Sequence, residues 1–243
     1  MKAAAARKAH GLIGPAIIAA GAFAVLISLG VWQLQRKAWK EALIETMSQR
    51  AAARPIDLPA PATWNALTPS ADEFRRVKLR AQFIENAKPA FVYTAGSSLR
   101  DDIKAPGYFI FAPARLPNGG IVVINRGYMA QQSAAPARGV VDLVGYLRFP
   151  ESGSLFVADH DASGATWFVR DHRAMAKELQ WGETAPFYID QESPVPAGGN
   201  PKPGPLKIQL HNDHLGYALT WFGLAAGLTA VFGVWLWSRR KMA

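Results

Sequence analysis

Near the C-terminus, His211-Asn212-Asp213-His214-Leu215-Gly216-Tyr217-Ala218-Leu219-Thr220-Trp221 leads directly into an apolar run. On a helix His214, Tyr217, Ala218 and Trp221 share one face, because residues three, four and seven apart stack above one another. An imidazole at the end of a membrane span is costly unless it is paired or used. Tyrosine and tryptophan at that depth, by contrast, are ordinary interfacial residues. His214 therefore reads equally well as an interfacial anchor or as a ligand. Trp32, Gln33 and Arg36 reach the same membrane face at the end of an earlier apolar run. A groove between two such helix ends would offer a nitrogen base for a metal, guanidinium groups for carboxylates and aromatic walls. Those parts suit haem a: imidazole for the iron, arginine for the propionates and apolar surface for the isoprenoid tail.

Other chemistries are excluded or unsupported. The chain has no cysteine, so disulfides, thiolate metal sites, covalent c-type haem attachment, thiol catalysis and cysteine-based copper carriage are ruled out. It contains no G-x-S-x-G, H-E-x-x-H or P-loop pattern. His160 and His172, one in a loop and one at a helix start, make a poor metal pair and read as surface or satisfied histidines. The five methionines are scattered and form no copper-binding cluster. No enzyme is expected.

The elements that must position His214 are two membrane spans. Leu12 to Leu34 and Leu215 to Trp237 each run 23 residues without a formal charge. At about 1.5 Å per residue each reaches roughly 35 Å, enough for a hydrocarbon core of about 30 Å. A cleavable signal peptide is the alternative for the first. It is disfavoured because the run exceeds a usual signal core and no small-x-small site precedes Gln33. Lys2, Arg7 and Lys8 before the first span and Arg239, Arg240 and Lys241 after the second put both tails in the cytoplasm by the positive-inside rule. Arg36, Lys37 and Lys40 argue the other way locally, but a loop of about 180 residues translocates largely regardless of such charges. Removing the tails reduces the net charge from +9 to +3, so the basic excess concerns topology, and nucleic acid is not an expected partner. The short basic start, MKAAAARKAH, favours a bacterial inner membrane over an organellar precursor.

The expected fold class is an α+β membrane protein: two transmembrane helices flanking a mainly antiparallel β periplasmic domain, barrel-like in one version, with one or two short helices. The expected limits are a tail over 1–11, spans over 12–34 and 215–237, the domain over 35–214 and a tail over 238–243. Trp39, Leu43 and Met47 recur at four-residue steps, so the first helix should continue past the membrane to about Ala53. Pro55, Pro59, Pro61 and Pro69 then mark an extended connection. Val77, Leu79, Ala81 and Phe83 alternate with polar residues, the pattern of a half-buried strand. Further strands are expected at Ala90–Thr94, Tyr108–Arg115, Gly120–Met129, Val140–Phe149 and Phe187–Gln191. Pro117-Asn118-Gly119-Gly120 supplies a hairpin turn. Asp171 to Trp181 reads as a helix capped by Asp171 and closed by Gly182. Pro194 to Pro205 is a second connection.

Five motifs carry a resemblance. Leu29-Gly30-Val31-Trp32-Gln33-Leu34-Gln35-Arg36-Lys37-Ala38-Trp39-Lys40 resembles the L-G-x-W-Q-x-x-R-x-x-W-K signature of the surfeit locus protein 1 family. Phe74-Arg75-Arg76-Val77 is similar to its Y-R-R-V, with phenylalanine for tyrosine. Asn125-Arg126-Gly127-Tyr128 matches its N-R-G-aromatic turn. Trp167-Phe168-Val169-Arg170-Asp171 with Met175-Ala176 resembles its W-aromatic-x-R-D…M-A. Asn212-Asp213-His214-Leu215-Gly216-Tyr217-Ala218-Leu219-Thr220-Trp221-Phe222 is similar to its N-N-H-L-x-Y-A-x-T-W-F, with Asp213 for asparagine. The resemblance covers residues 25 to 225, with the motifs in order.

It implies an assembly factor for haem-copper cytochrome c oxidase, binding haem a transiently and aiding its insertion into subunit I. The implied metal ligand is His214. Tyr217, Trp221, Trp32, Arg36, Arg126, Arg75 and Arg76 are the candidate haem contacts, the arginines for propionates. Arg75 and Arg76, if adjacent in a strand, point to opposite faces, so at most one serves a given site. Asn125 and Gly127 read as turn formers, Trp167 as packing, and Asp213 as a possible hydrogen-bond partner for the His214 imidazole. The expected partners are subunit I, other oxidase assembly factors, haem a synthase and the lipid bilayer. The alternative is a haem-independent scaffold that stabilises subunit I.

Overall fold

The computed structural model describes residues 2–133, 137–151, 166–208 and 211–241, with side chains from residue 13. His160 lies outside the described residues. Two units make up the chain: a helical one from residues 1–44 and 210–243, and a β-rich one from residues 45–209.

In the helical unit, α1 (Lys2–Ala52) passes through Pro15 without a break and continues beyond the apolar run, as the Trp39–Leu43–Met47 spacing predicts. The second helix, named α4 by its place in the chain, is His214–Lys241 and ends on Arg239, Arg240 and Lys241. Both helices are long and apolar enough to cross a membrane, with mean hydropathy 2.1 and 1.7 in their most apolar stretches. Their apolar side chains point outwards: Ile17, Ile18, Val231 and Val234 are all more than half exposed. A helix of a soluble core would bury them; a membrane helix gives them to lipid. This is a membrane protein.

The β-rich unit holds β1 (Ile56–Asp57), a 3₁₀ turn at Pro61–Ala66, α2 (Pro69–Asp72), β2 (Arg76–Phe83), β3 (Ala90–Thr94), β4 (Gly107–Arg115), β5 (Ile121–Met129), β6 (Val140–Arg148), β7 (Thr166–Trp167), α3 (His172–Glu178) and β8 (Tyr188–Ser193). Strands β2, β6, β8, β5 and β4 pair in that order, and β4 returns to β2 through Gln82 opposite Arg115 and Phe83 opposite Ala114. The sheet therefore closes into a five-stranded barrel, which removes the edges an open sheet would leave. Most pairings are antiparallel; β5 with β8, β1 with β2 and β3 with β7 are parallel. The expected strands all form, with limits one or two residues different. The connection expected to be extended from Pro55 to Pro69 instead carries β1, the 3₁₀ turn and α2, because Pro61 and Pro69 each stand at the first helical positions, where proline's missing donor costs nothing.

Val77, Ala81, Phe83, Ala114, Val122, Ile124, Leu143, Leu147 and Ile189 fill the barrel. Trp64 closes it, its ring 5.4 Å from Phe187 and its indole N–H donating to Pro59 O at 2.8 Å. On the opposite face of β4, β5 and β8, a second cluster forms from Val92, Phe109, Phe111, Val123, Trp167, Met175, Trp181 and Tyr188. Trp167 thus packs, as its motif suggested. Asp171 caps α3 through the N–H groups of Arg173 and Ala174, and Gly182 follows with φ +87°. The hairpin turn between β4 and β5 closes through Gly119, also at positive φ.

His172 is fully buried at the start of α3. Its Nε2–H donates to Ala185 O at 2.9 Å. Burial holds its pKa down to about 4, although the carbonyl favours the charged ring. An unfolded chain takes up this proton near pH 6.5. The stabilisation from a neutral His172 is therefore complete above pH 6.5 and lost as pH falls towards 4, by at most about 3 kcal/mol. Chemical denaturation between pH 7 and 4 should show this fall, and His172→Gln should flatten it while lowering stability throughout. An unchanged slope would assign the acid sensitivity to other groups.

Candidate functional site

In the helical unit α1 and α4 run antiparallel, and their contacts descend in register. Lys40 Nζ donates to the carbonyl of His211, Gln33 meets His214, and Gly30 lies under the Phe222 ring. On α1 the contacts fall at Gly30, Gln33 and Lys40; on α4 they fall at His214 and Phe222, and the buried Ala218 and Ala225 continue the same three- and four-residue steps. This is the spacing that keeps one seam facing a partner helix. The small buried side chains Ala218 and Ala225 allow the close approach. Gly223 and Gly227, four residues apart on the same helix, face open space.

His214 stands at the first position of α4, half-buried. Its Nδ1 lies 2.6 Å from Oε1 of Gln33, a side chain that is 9% exposed. A carboxamide oxygen can only accept, so Nδ1 carries a proton, and in the neutral ring Nε2 keeps its lone pair. Asp213, expected beside this imidazole, instead meets His211 at 2.7 Å. Helix geometry is the reason. Asp213 precedes the first turn and points away from the seam, whereas Gln33 lies on it.

The aromatic candidates separate. Trp221, seven residues on from His214, is partly buried, with its indole nitrogen sheltered from solvent. Tyr217 is 57% exposed and Trp32 52% exposed, so neither ring is packed between the helices. Arg36 is exposed and its guanidinium stacks over the Trp39 ring at 4.0 Å. The helices meet at Gly30 and Phe222, so the groove expected between their ends is closed at that level. A methyl group at Gly30 would overlap the Phe222 ring. Gly30→Val should therefore splay the seam and cost about 1–3 kcal/mol, as overpacking does. Thermal melting in detergent should show the loss, with Gly30→Val/Phe222→Ala recovering most of it. A double variant as unstable as the single one would place the strain elsewhere.

The other three arginines belong to the β-rich unit, each with protein partners. Arg75 precedes β2 and meets Asp72 at 2.9 Å. Arg76, the first residue of β2, grips Glu192 through Nε and Nη2 at 2.6 and 2.8 Å. Only Arg76 lies in the strand, so the alternation of strand faces does not relate the two arginines. Arg126 is partly buried, 5.5 Å from the Phe83 ring, and burial lowers its pKa. Asn125-Arg126-Gly127 forms a bulge within β5 and not a turn: the register with β4 slips between Phe109 and Phe111. Gly127 has φ +115° and lies against the backbone of Lys202 and Pro203, where any side chain would collide.

Around this bulge lies a buried charge network that the sequence reading did not single out. Arg148 donates to Glu73 Oε1 at 2.6 Å and to Asp190 Oδ2 at 2.8 Å. Asn125 donates to Asp190 Oδ1 at 2.5 Å and accepts from the Gly127 N–H at 3.1 Å. Phe74, 6% exposed and at φ +64°, places its ring 4.5 Å under the Arg148 guanidinium. Burial raises the Glu73 pKa, with Arg148 opposing. The Phe-Arg-Arg-Val and Asn-Arg-Gly motifs thus meet at one ion network. The available signal was a lone arginine in the apolar strand Val144-Gly145-Tyr146-Leu147-Arg148-Phe149, which must have buried partners. Among the described residues no group of three or more His, Asp or Glu side chains could hold a metal ion. A metal here would depend on an incoming group for its other ligands.

Two long apolar helices bracketing a closed five-stranded barrel define a membrane-anchored β-barrel protein. The profile of the SURF1 family matches residues 20–226. Surfeit locus protein 1 of Rattus norvegicus is 31% identical over 235 residues, covering 89% of this chain and 72% of that protein. The SURF1-like protein of Monosiga brevicollis is 30% identical over 230 residues, covering 89% and 84%. Surfeit locus protein 1 of Homo sapiens is 29% identical over 233 residues, covering 87% and 72%. The chain belongs to the SURF1 family.

Proposed function

We propose that this protein is an assembly factor for cytochrome c oxidase that carries haem a on His214 and releases it to subunit I. The observation that supports this reading is the orientation of His214: Nδ1 is bound by Gln33 and Nε2 keeps the lone pair that iron requires. A histidine acting as a mere interfacial anchor has no need of a fixed tautomer. The donor set fits the group, since a porphyrin already supplies four nitrogens and asks one axial base of the protein. A single imidazole, His214, would hold haem a, and so sparse an attachment suits a cargo that must leave. With the helices in contact at Gly30 and Phe222, the flank of the helix pair beside His214 would hold the group, and lipid would solvate its isoprenoid tail. Arg36, exposed at the membrane face, is the propionate partner within this unit. The role is non-catalytic.

The charged tails support an orientation with both termini cytoplasmic and the barrel across the membrane, in this reading the periplasmic side of a bacterial inner membrane, where subunit I, other oxidase assembly factors and haem a synthase are accessible. The test is the optical spectrum of the detergent-purified protein from cells that make haem a. Soret and α bands with extractable haem a are expected. A colourless protein despite verified haem a supply overturns the carrier reading in favour of a scaffold, which co-purification of subunit I would then detect.

A further inference from the structure

We infer that Gln33 is the positioning residue of this site: its side-chain oxygen holds the His214 imidazole in the Nδ1–H tautomer and aims Nε2 at the incoming metal. As a statement about haem a, the inference rests on the carrier reading above. As a statement about His214, it stands on geometry.

Three observations combine. The Gln33 oxygen and His214 Nδ1 are 2.6 Å apart, a short separation for such a pair. Gln33 is a polar side chain buried at 9% exposure on an otherwise apolar stretch of helix, and a carboxamide in that setting needs a partner. The register of the seam also leaves it little freedom. Lys40 fastens the carbonyl of His211 just before α4 begins, and Gly30 admits Phe222 one turn along from Gln33. Gln33 lies between these two contacts, so the rigid seam presents the oxygen to the ring. An imidazole without such a partner prefers the Nε2–H form, in which the outward nitrogen is a donor and cannot bind a metal. Metal-binding histidines commonly have the second ring nitrogen engaged in this way, and losing the partner costs about 10–100-fold in metal affinity. In this chain a neutral amide fills the place that a carboxylate takes in many metal sites. Asp213, the nearby carboxylate, is turned towards His211.

The experiment uses full-length protein in detergent. In ¹⁵N-labelled, haem-free protein, two-bond ¹H–¹⁵N correlations report ring tautomers, with His214→Ala assigning the His214 signals. The wild type should show Nδ1–H at His214. Gln33→Leu should shift the ring to Nε2–H and weaken haem a binding by about 10–100-fold. Gln33→Glu, which keeps an acceptor in place, should retain Nδ1–H and raise the iron–imidazole stretching frequency of the ferrous haem a complex. Should Gln33→Leu fail to fold, the Gln33→Glu frequency shift still decides. An Nε2–H ring in the wild type overturns the inference. So does unchanged haem a affinity in Gln33→Leu with an unmoved stretching band in Gln33→Glu, while the carrier reading survives. The expected tautomer change in a protein that binds no haem a supports the role of Gln33 on His214 and sinks the carrier reading alone.

Discussion

Arg148→Met should cost the barrel about 3–5 kcal/mol, the usual penalty for stranding buried charge. Arg148 is 5% exposed and bridges Glu73 and Asp190, two carboxylates that have no other cation within hydrogen-bonding distance among the described residues. Methionine fills much of the same volume, so the loss is electrostatic more than steric. It also removes the cation above the Phe74 ring and loosens the hold on the bulge, because Asp190 anchors Asn125. The pH dependence gives the mechanism away. Without Arg148 the pKa of Glu73, already raised by burial, rises further, and the folded state binds a proton that the unfolded chain does not hold at neutral pH. Stability of the variant relative to wild type should therefore recover as pH falls from 7 towards 5. Denaturant melts of the two proteins across that range measure it. Arg148→Met/Glu73→Gln/Asp190→Asn should regain a large part of the loss at pH 7, since replacing a whole buried ion set is far milder than breaking it. A wild-type-like melt for Arg148→Met would mean that the Glu73–Arg148–Asp190 network does not hold the barrel together.

The second large effect is expected at the other unit. His214→Ala should reduce haem a retention by about 100-fold or more, since loss of an outer partner alone costs 10–100-fold and the ligand itself contributes more. Alanine is a good helix former and the position opens α4, so the fold should persist. Haem a titrated into purified wild type and variant, read by the Soret band, measures the ratio. Co-purification of subunit I provides the contrast: His214→Ala should still bind it. A variant that keeps its haem a would assign the iron to another residue. One that loses subunit I instead would turn His214 into a contact residue of a scaffold.

What was legible in the sequence was what local chemistry dictates. The two spans, the run of α1 beyond the membrane, the alternating strand Val77–Phe83, the Asn-Gly turn and the Asp171 cap all follow from side-chain period or backbone preference within a few residues. His214 could be singled out in the same way, since an ionisable residue at a span's end is conspicuous by itself. The five motifs pointed to the family but not to what each motif does. Phe74-Arg75-Arg76-Val77 looked like a source of propionate-binding cations, and the fold shows its neighbour Glu73 and its ring serving Arg148, 75 residues further along.

Only tertiary structure could decide the partnerships. Barrel closure of β4 onto β2, the ion network of Glu73, Arg148 and Asp190, and the pairing of Gln33 with His214 join residues 31 to 181 positions apart. Periodicity tells which face of an element is buried, never against which other element. A polar residue on a buried face therefore announces in sequence that it needs a partner and leaves the partner unnamed. Asp213 was the near neighbour of His214 along the chain; the antiparallel seam made Gln33 its neighbour in space.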